Sequence, residues 1–390
     1  MKEQGFILSA LLNIGRGMKV HLTQLSTAVP KYRYSTHEMI ELFPQKLSSD
    51  LKQNILNLGV SERYLAYPLD LLFKSKLSHA DEEPVAEVCV AACKQALKSS
   101  DVSQRDIDYF IATYDSSSFL CPGLSNYLLH ELDLKPDIKH VSVQGMACSA
   151  FVRAIQLAED HLARYPKSLV MISLSGVNSL WFSNQVRGLK DIKGMGEIKT
   201  IKDDAQKTRE LRKWVALIEF FLFGDGAVCL IASNNKGGPE ILRMTSITNL
   251  RKADYSAGYA RLKPSLEPFV FEFESGLSKD IPNLGLEYTS VVLKKLFSQE
   301  KALSADKTKK WIMHTGSKRI LDTIAKSYGI AYEKIRESYE VLEKYGNLAG
   351  ASLPFILDMT MQKGGLKKGD YTVMLNYGWG FSANASLIIF

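Results

Sequence analysis

The chain is poor in the features that mark several protein classes. Its 390 residues hold five cysteines, Cys89, Cys93, Cys121, Cys148 and Cys229, an odd number without paired spacings. That excludes a disulfide framework and points to reduced thiols in a cytoplasmic setting. No stretch approaches the roughly 18 consecutive apolar residues that a membrane-spanning helix needs, so no integral membrane segment is expected. There is no basic stripe interleaved with aromatics and no zinc-type spacing, so neither nucleic acid nor a metal is an expected partner. Charge of one sign is also scarce. Lys and Arg number 49 against 42 Asp and Glu, a net +7, a mild excess compatible with phosphate-bearing ligands or an acidic protein partner.

What is present is ordinary globular composition, 46% hydrophobic and 23% charged, in a chain long enough for two domains or one large layered unit. Residues Gly5–Gly15 resemble the apolar part of a signal peptide, but Glu3 weakens the positive flank and no cleavage site follows, so export is not expected. Residues 1–17 are therefore expected to be an N-terminal extension, with a strand pattern starting at Met18-Lys-Val-His-Leu. From there strands and helices alternate. Ser35 or Thr36 caps a helix, Glu83–Lys98 has helical periodicity, Ile107–Thr113 is rich in strand formers, and Leu124–Glu131 follows the break at Pro122-Gly123. Ser168–Leu174 reads as a buried strand, Pro282–Ser298 as a long helix, Lys310–His314 as a strand, Gly316–Tyr328 as a helix and Tyr371–Leu375 as a closing strand. This pattern predicts an α/β fold with a mostly parallel sheet covered by helices. Asn234–Pro239 is the best linker, and the order of elements repeats after it, which divides the chain into halves 18–235 and 236–390. Residues 185–215 interrupt the rhythm with nine basic and five acidic residues, expected as a solvated lid or helical hairpin, or as a docking face for an acyl carrier or a nucleotide phosphate.

Three side chains could carry chemistry. Cys148 lies between a short apolar run ending near Gln144 and an amphipathic stretch with apolar residues at Phe151, Ala154, Ile155, Ala158 and Leu162, hence at the start of a helix. Free N–H groups and the helix dipole there are expected to lower a thiol's pKa. His314 ends an apolar run, at the carboxyl end of a strand, where open α/β sheets bind ligands. Asn347 precedes a helix that runs to about Asp358, where capping would also account for it. Arg63 could meet a phosphate, although a structural ion pair explains it as well. A thiol, an imidazole and a carboxamide together suit thioester chemistry. The thiol accepts an acyl group, and His and Asn donors hold the oxygen of a second thioester as it becomes an enolate.

On these residues the sequence resembles the thiolase superfamily, and within it type III polyketide synthases of the chalcone and stilbene synthase kind, with ketoacyl synthase III as the close relative. The resemblance runs from about Met18 to near the C-terminus. It is densest over Trp311-Ile-Met-His-Thr-Gly-Ser-Lys-Arg-Ile-Leu-Asp322, Arg336–Asn347 and Phe355-Ile-Leu-Asp358, and it includes Phe223-Gly-Asp-Gly-Ala227 and Lys279-Asp-Ile-Pro282. It implies a five-layered αβαβα fold of two similar halves, a homodimer, and coenzyme A thioesters as substrates without metal or redox cofactor. It further implies Cys148 as nucleophile, His314 and Asn347 in malonyl decarboxylation, and Phe223, Gly224, Trp379 and Phe381 in substrate binding.

The family's closing Gly-Phe-Gly-Pro-Gly is here Gly378-Trp-Gly-Phe-Ser382, and Phe271 and Phe273 lie near the place of a second gating Phe. The function expected is acyl transfer to Cys148 followed by decarboxylative Claisen condensation with malonyl-CoA or a related extender, with coenzyme A or acyl-carrier protein as carrier. A non-condensing acyltransferase using the same three residues, or a non-catalytic partner subunit of a synthase, are the alternatives.

Overall fold

The computed structural model describes residues 20–73, 84–115, 119–235, 237–264, 271–278, 280–300 and 304–390. The expected extension at 1–17, the start of the first strand at Met18 and Lys279 lie outside them, as do the side chains of Phe271 and Phe273.

In chain order the N-terminal half contains strands β1 (Val20–Ala28), β2 (Tyr32–Ser35), β3 (Glu62–Leu65), β4 (Tyr109–Tyr114), β5 (Lys139–Gln144), β6 (Val170–Ser175) and β7 (Ala227–Ser233). Its helices are α1 (Thr36–Leu42), α2 (Ser49–Leu56), α3 (Leu69–Phe73), α4 (Pro84–Lys98), α5 (Leu124–Glu131), α6 (Ala150–Arg164), α7 (Ser179–Val186), α8 (Met195–Thr200) and α9 (Asp204–Leu222). The C-terminal half adds β8 (Glu240–Thr248), β9 (Gly258–Pro264), β10 (Phe271–Leu277), β11 (Lys310–Met313), β12 (Tyr371–Gly378) and β13 (Ser382–Ile389), with α10 (Ile281–Gln299), α11 (Lys318–Ser327), α12 (Tyr332–Tyr345) and α13 (Ser352–Gln362). Local chemistry sets many of these ends. Ser35 closes a capping box with Glu38 at the start of α1, Ser317 accepts the N–H of Ile320 at the start of α11, and Pro282 stands in the first turn of α10, where no intrahelical donor is needed.

Nine strands form one sheet in the order β11-β12-β13-β8-β1-β7-β6-β4-β5. The two halves meet where β1 and β8 run antiparallel through Val20↔Ile241 and His21↔Glu240. Outward from that join the two halves repeat one order of the sheet's strands, β1, β7, β6, β4 on one side and β8, β13, β12, β11 on the other. Only β5 lacks a counterpart among the described residues. The sheet is mixed rather than mostly parallel. Parallel pairs join β4 to β5 and β6, and β11 to β12, whereas β1, β7, β8 and β13 pair antiparallel with their neighbours. The reason is that each half brings its last strand back beside its first. Tyr371–Leu375 accordingly is not the closing strand. A turn at Trp379-Gly380, with Gly380 at φ 113°, returns the chain as β13.

Alternation along the strands produces the layers. Ile111, Ile172 and Leu230 point inward with Ile312, Met374 and Ile388, and between these two faces lie α6 and α13. Phe110, Met171 and Cys229 point outward under α4 and α5, and Trp311, Met313, Val373 and Leu375 outward under α10 and α11. The result is an αβαβα stack with the two central helices back to back. Segment 185–215 is not a detached lid. Leu189, Ile192 and Trp214 pack into a cluster with Phe43, Leu51 and Phe221, and four of the nine basic residues, Lys207, Arg209, Arg212 and Lys213, lie on α9, whose last turns are core. No described helix is long and apolar enough to cross a membrane.

Candidate active site

Both central helices begin with the same device. A short 3₁₀ turn, Ala147–Ser149, precedes α6, and a second, Ala349–Ala351, precedes α13. Ala147 and Ala349 have φ values of 43° and 48°, the left-handed region that a residue with a Cβ enters only when its surroundings hold it there. Cys148 sits in the first turn, and Asn347 leads into the second.

These turns and the end of β11 open on one cavity of about 520 Å³, within the size range of small-molecule sites. Cys148, His314 and Asn347 all line it, together with Trp181, Phe182, Ile218, Leu222, Phe223, Trp379 and Phe381. His314 follows Met313, its N–H donating to Leu375 O at 3.0 Å across from β12. The Asn347 carboxamide has a fixed orientation. Its Oδ1 accepts the backbone N–H of Ala349 at 2.9 Å, and since a backbone N–H can only donate, the amide nitrogen must occupy the other position. Asn347 thus caps the turn with its oxygen and keeps two N–H donors for something else.

The turn that bears Cys148 is tied to the C-terminal hairpin. Asn376 Nδ2 donates to Cys148 O at 2.7 Å, Asn384 Nδ2 to Ser149 Oγ at 3.0 Å, and the hydroxyls of Ser149 and Ser382 meet at 2.8 Å. Gly378 is pressed against Cys148, for a Cβ there would lie 2.8 Å from Cys148 Cβ and 3.2 Å from its Sγ. Of the aromatic residues, Phe223 stacks on Phe182 with ring centroids 4.3 Å apart and bridges by its backbone to Asn347. Trp379 lies over Gly258, where only a hydrogen fits beneath the indole. Phe381, buried, packs edge-on against Tyr288 at 5.0 Å.

The electrostatics overturn one expectation. The Cys148 thiol is not made more acidic. Burial, and then the charge of Asp115, push it up to about 12. The short turn and the cavity floor desolvate the sulfur more than the helix dipole favours its anion. Burial also pulls His314 down to about 4, so the imidazole is neutral at physiological pH, and its Nδ1 has no hydrogen-bond partner among the described residues.

Gly224 is a second correction, since it does not line the cavity. A Cβ there would meet Tyr345 O at 2.1 Å and Arg63 Cβ at 3.2 Å, so the glycine permits close packing behind the site. The Asp of the same Phe-Gly-Asp-Gly-Ala turn has a structural role. Asp225 is buried and accepts N–H bonds from Ala66, Asn178 and Ser179, fixing the start of α7. Arg63 forms no ion pair among the described residues, and it is fully buried, away from any surface where a phosphate could meet it. Its guanidinium donates to the carbonyl of Phe221 and to Thr36 Oγ1, and burial lowers it to about 9, so it anchors the end of α9 that delivers Phe223.

Sequence reasoning missed Asp115, Asn376, Tyr377 and Glu219. Asp115, Tyr377 and Glu219 line the cavity, and Asn376 supports its floor. An Asn or Glu inside an apolar run, as in Met374-Leu-Asn-Tyr377 or Leu217-Ile-Glu-Phe220, was the signal available.

Comparison with known proteins agrees with this architecture. Residues 46–189 match the family described as FAE1/type III polyketide synthase-like protein, and residues 299–390 match the C-terminal part of 3-oxoacyl-[acyl-carrier-protein] synthase III. The chain is 23% identical to a 3,5-dihydroxyphenylacetyl-CoA synthase of Amycolatopsis balhimycina, over 98% of this chain and 95% of that protein. It is 24% identical to the 1,3,6,8-tetrahydroxynaphthalene synthase of Streptomyces coelicolor, over 94% and 91% of the two chains. The crystal structure of the latter superposes with a TM-score of 0.73 over 95% of this chain and 99% of that one, at 22% identity. OleA of Xanthomonas campestris superposes with a TM-score of 0.69 over 95% and 98%, at 16% identity. The fold is therefore that of the thiolase superfamily. Within it, the similarity is to type III polyketide synthases.

Proposed function

We propose that the protein is a condensing acyltransferase, and the observation that carries this reading is the presence of Cys148, His314 and Asn347 around one largely apolar cavity. Cys148 Sγ attacks the carbonyl carbon of an acyl thioester. The carrier thiol leaves with the proton, and an acyl-Cys148 thioester remains. A malonyl thioester, or a related extender, then enters. As carbon dioxide departs, the electron pair moves onto the thioester carbonyl, and the resulting enolate oxygen is held by an N–H of neutral His314 and an N–H of Asn347. The enolate carbon attacks the acyl-Cys148 carbonyl, a carbon–carbon bond forms, the carbon–sulfur bond to Cys148 breaks, and a β-keto thioester is released or extended again.

A neutral imidazole suits this role because it offers a donor without requiring a buried cation. The apolar wall of Trp181, Phe182, Ile218 and Phe223 suits an acyl chain or aromatic ring, and the mildly basic surface suits phosphate-bearing carriers such as coenzyme A. No metal or redox cofactor enters the proposed chemistry. The proposal extends to a homodimer, supported by the resemblance and by exposed apolar side chains at Met146 on the nucleophile turn and Leu120 after β4. It extends also to a cytoplasmic setting, supported by five free thiols.

The test is incubation with a panel of radiolabelled acyl-CoA thioesters, followed by malonyl-CoA. Label should appear on the wild-type chain and vanish in Cys148→Ala, and carbon dioxide should be released with product. Label that persists in Cys148→Ala removes Cys148 as nucleophile. Acylation without carbon dioxide release turns the assignment to plain acyl transfer.

A further inference from the structure

The two left-handed turns are alike in shape but differ in how they are held. In the C-terminal half the support is local, because Asn347 Oδ1, two residues before Ala349, accepts the Ala349 N–H. In the N-terminal half the residue two before Ala147 is Gly145, which has no side chain to offer. The acceptor comes instead from Asp115, at the end of β4. Its Oδ1 accepts the Gly145 N–H at 2.7 Å, at the residue where the turn begins. Asp115 lines the same cavity as Cys148.

We infer that Asp115 is the positioning residue of the nucleophile turn, its carboxylate standing in for the missing local acceptor and fixing the direction in which Cys148 enters the cavity. The inference rests on Cys148 being the acylated residue. It carries a chemical consequence, since a negative charge beside the sulfur opposes the thiolate. The other titratable groups around the cavity are His314, Glu219, Tyr255, Tyr259 and Tyr377, and none brings a positive charge there at neutral pH. The sulfur therefore waits as a thiol, and its placement counts for more than its basicity.

The experiment uses Asp115→Asn and Asp115→Ala in the full chain, with two readouts. The first is the rate of Cys148 alkylation by iodoacetamide from pH 6 to 10, followed by mass spectrometry. The second is Cys148 acylation by the acyl-CoA panel. Asn keeps an acceptor and removes the charge, so alkylation at pH 8 should rise about tenfold or more. Ala removes both, so alkylation should rise likewise while acylation falls about 100-fold, well below the level that Asn retains. An Asp115→Asn alkylation profile that superimposes on wild type overturns the inference, as does an Asp115→Ala chain that acylates like wild type. If Asp115→Ala does not fold, as judged by its melting curve, the Asn profile decides alone. If no acyl-CoA labels any chain, the acyl-transfer reading fails, and the alkylation profiles still decide the placement of Asp115.

Discussion

The side-chain amide of Asn376 donates to the carbonyl oxygen of Cys148 at 2.7 Å. This bond crosses from the C-terminal half to the N-terminal half, joining β12 to the turn that bears Cys148. Asn384, opposite Asn376 on β13, makes the parallel contact to Ser149. The site is thus assembled from both halves even for the placement of its sulfur. Asn376→Ala should cost about 1–2 kcal/mol of stability through a buried carbonyl left without its donor, and should slow Cys148 acylation about tenfold or more. Denaturant melts and acylation rates, compared with Asn384→Ala, check it; acylation at the wild-type rate would separate the hairpin from the nucleophile.

Gly378 leaves Cys148 its space. Alanine there would put a Cβ 2.8 Å from Cys148 Cβ and 3.2 Å from Sγ, so either the sulfur or the strand must move. Gly378→Ala should fold and lose Cys148 acylation by about 100-fold, the usual scale for a misplacement near 1 Å. Gly369 is the control. It has φ 93° and open space around its Cβ position, so Gly369→Ala should cost about 1 kcal/mol and leave acylation alone.

His314 makes stability depend on pH with a definite sign. Its folded value is about 4 against an ordinary value of 6.5. Between those values the unfolded chain binds a proton that the folded chain refuses, so the contribution is complete above pH 6.5 and is lost as pH falls toward 4. Between pH 7.5 and 4.5 this one group should remove roughly 2–3 kcal/mol. His314→Gln should lose correspondingly less over the same interval in urea melts. Decarboxylation of malonyl-CoA should show no acidic limb near pH 6.5, because the free imidazole stays neutral there. An ordinary histidine titration seen by NMR would contradict both statements.

Much of the fold was legible because burial and period agree. Leu124–Glu131 is the helix read from the sequence, Pro84–Lys98 and Ile281–Gln299 lie within a residue or two of their predicted bounds, and the repeat of elements after Asn234 is the repeat of the sheet. Strand direction was not legible. Whether β7 or β13 runs with or against its neighbour depends on how far the chain travels before returning, and local pattern carries no such distance. That Cys148, His314 and Asn347 come together at one cavity was legible by residue type and position, but the environment of the sulfur was not. Asp115 lies in a polar Tyr-Asp-Ser-Ser-Ser stretch that reads as a loop, 33 residues from Cys148 in sequence, and only the pairing of β4 with β5, through Tyr114↔Gln144, brings it to the turn. Gly224 was misjudged for a related reason: a glycine beside a cavity-lining Phe can serve the packing behind a site as readily as the site itself.

Asn347 is the residue whose two functions can be pulled apart. Its oxygen holds Ala349 and its nitrogen is the proposed enolate donor, so substitutions that remove one or both should differ. Asn347→Asp keeps an acceptor for the turn but removes both N–H donors and adds negative charge where enolate charge develops. Asn347→Ala removes acceptor and donors together. Acylation of Cys148 precedes the enolate, and should remain largely intact in both variants. Decarboxylation of malonyl-CoA should slow by about 10²- to 10³-fold in Asn347→Ala, the scale for loss of an oxyanion donor, and by at least as much in Asn347→Asp. Stability should separate them in the opposite sense, with Asn347→Ala losing about 1 kcal/mol for the missing cap and Asn347→Asp less at pH 7. Single-turnover acylation, carbon dioxide release and melting of the two variants measure the three quantities. Equal loss of acylation and decarboxylation would mean that Asn347 acts only by shaping the turn, and the oxyanion role would then have to pass to His314 alone.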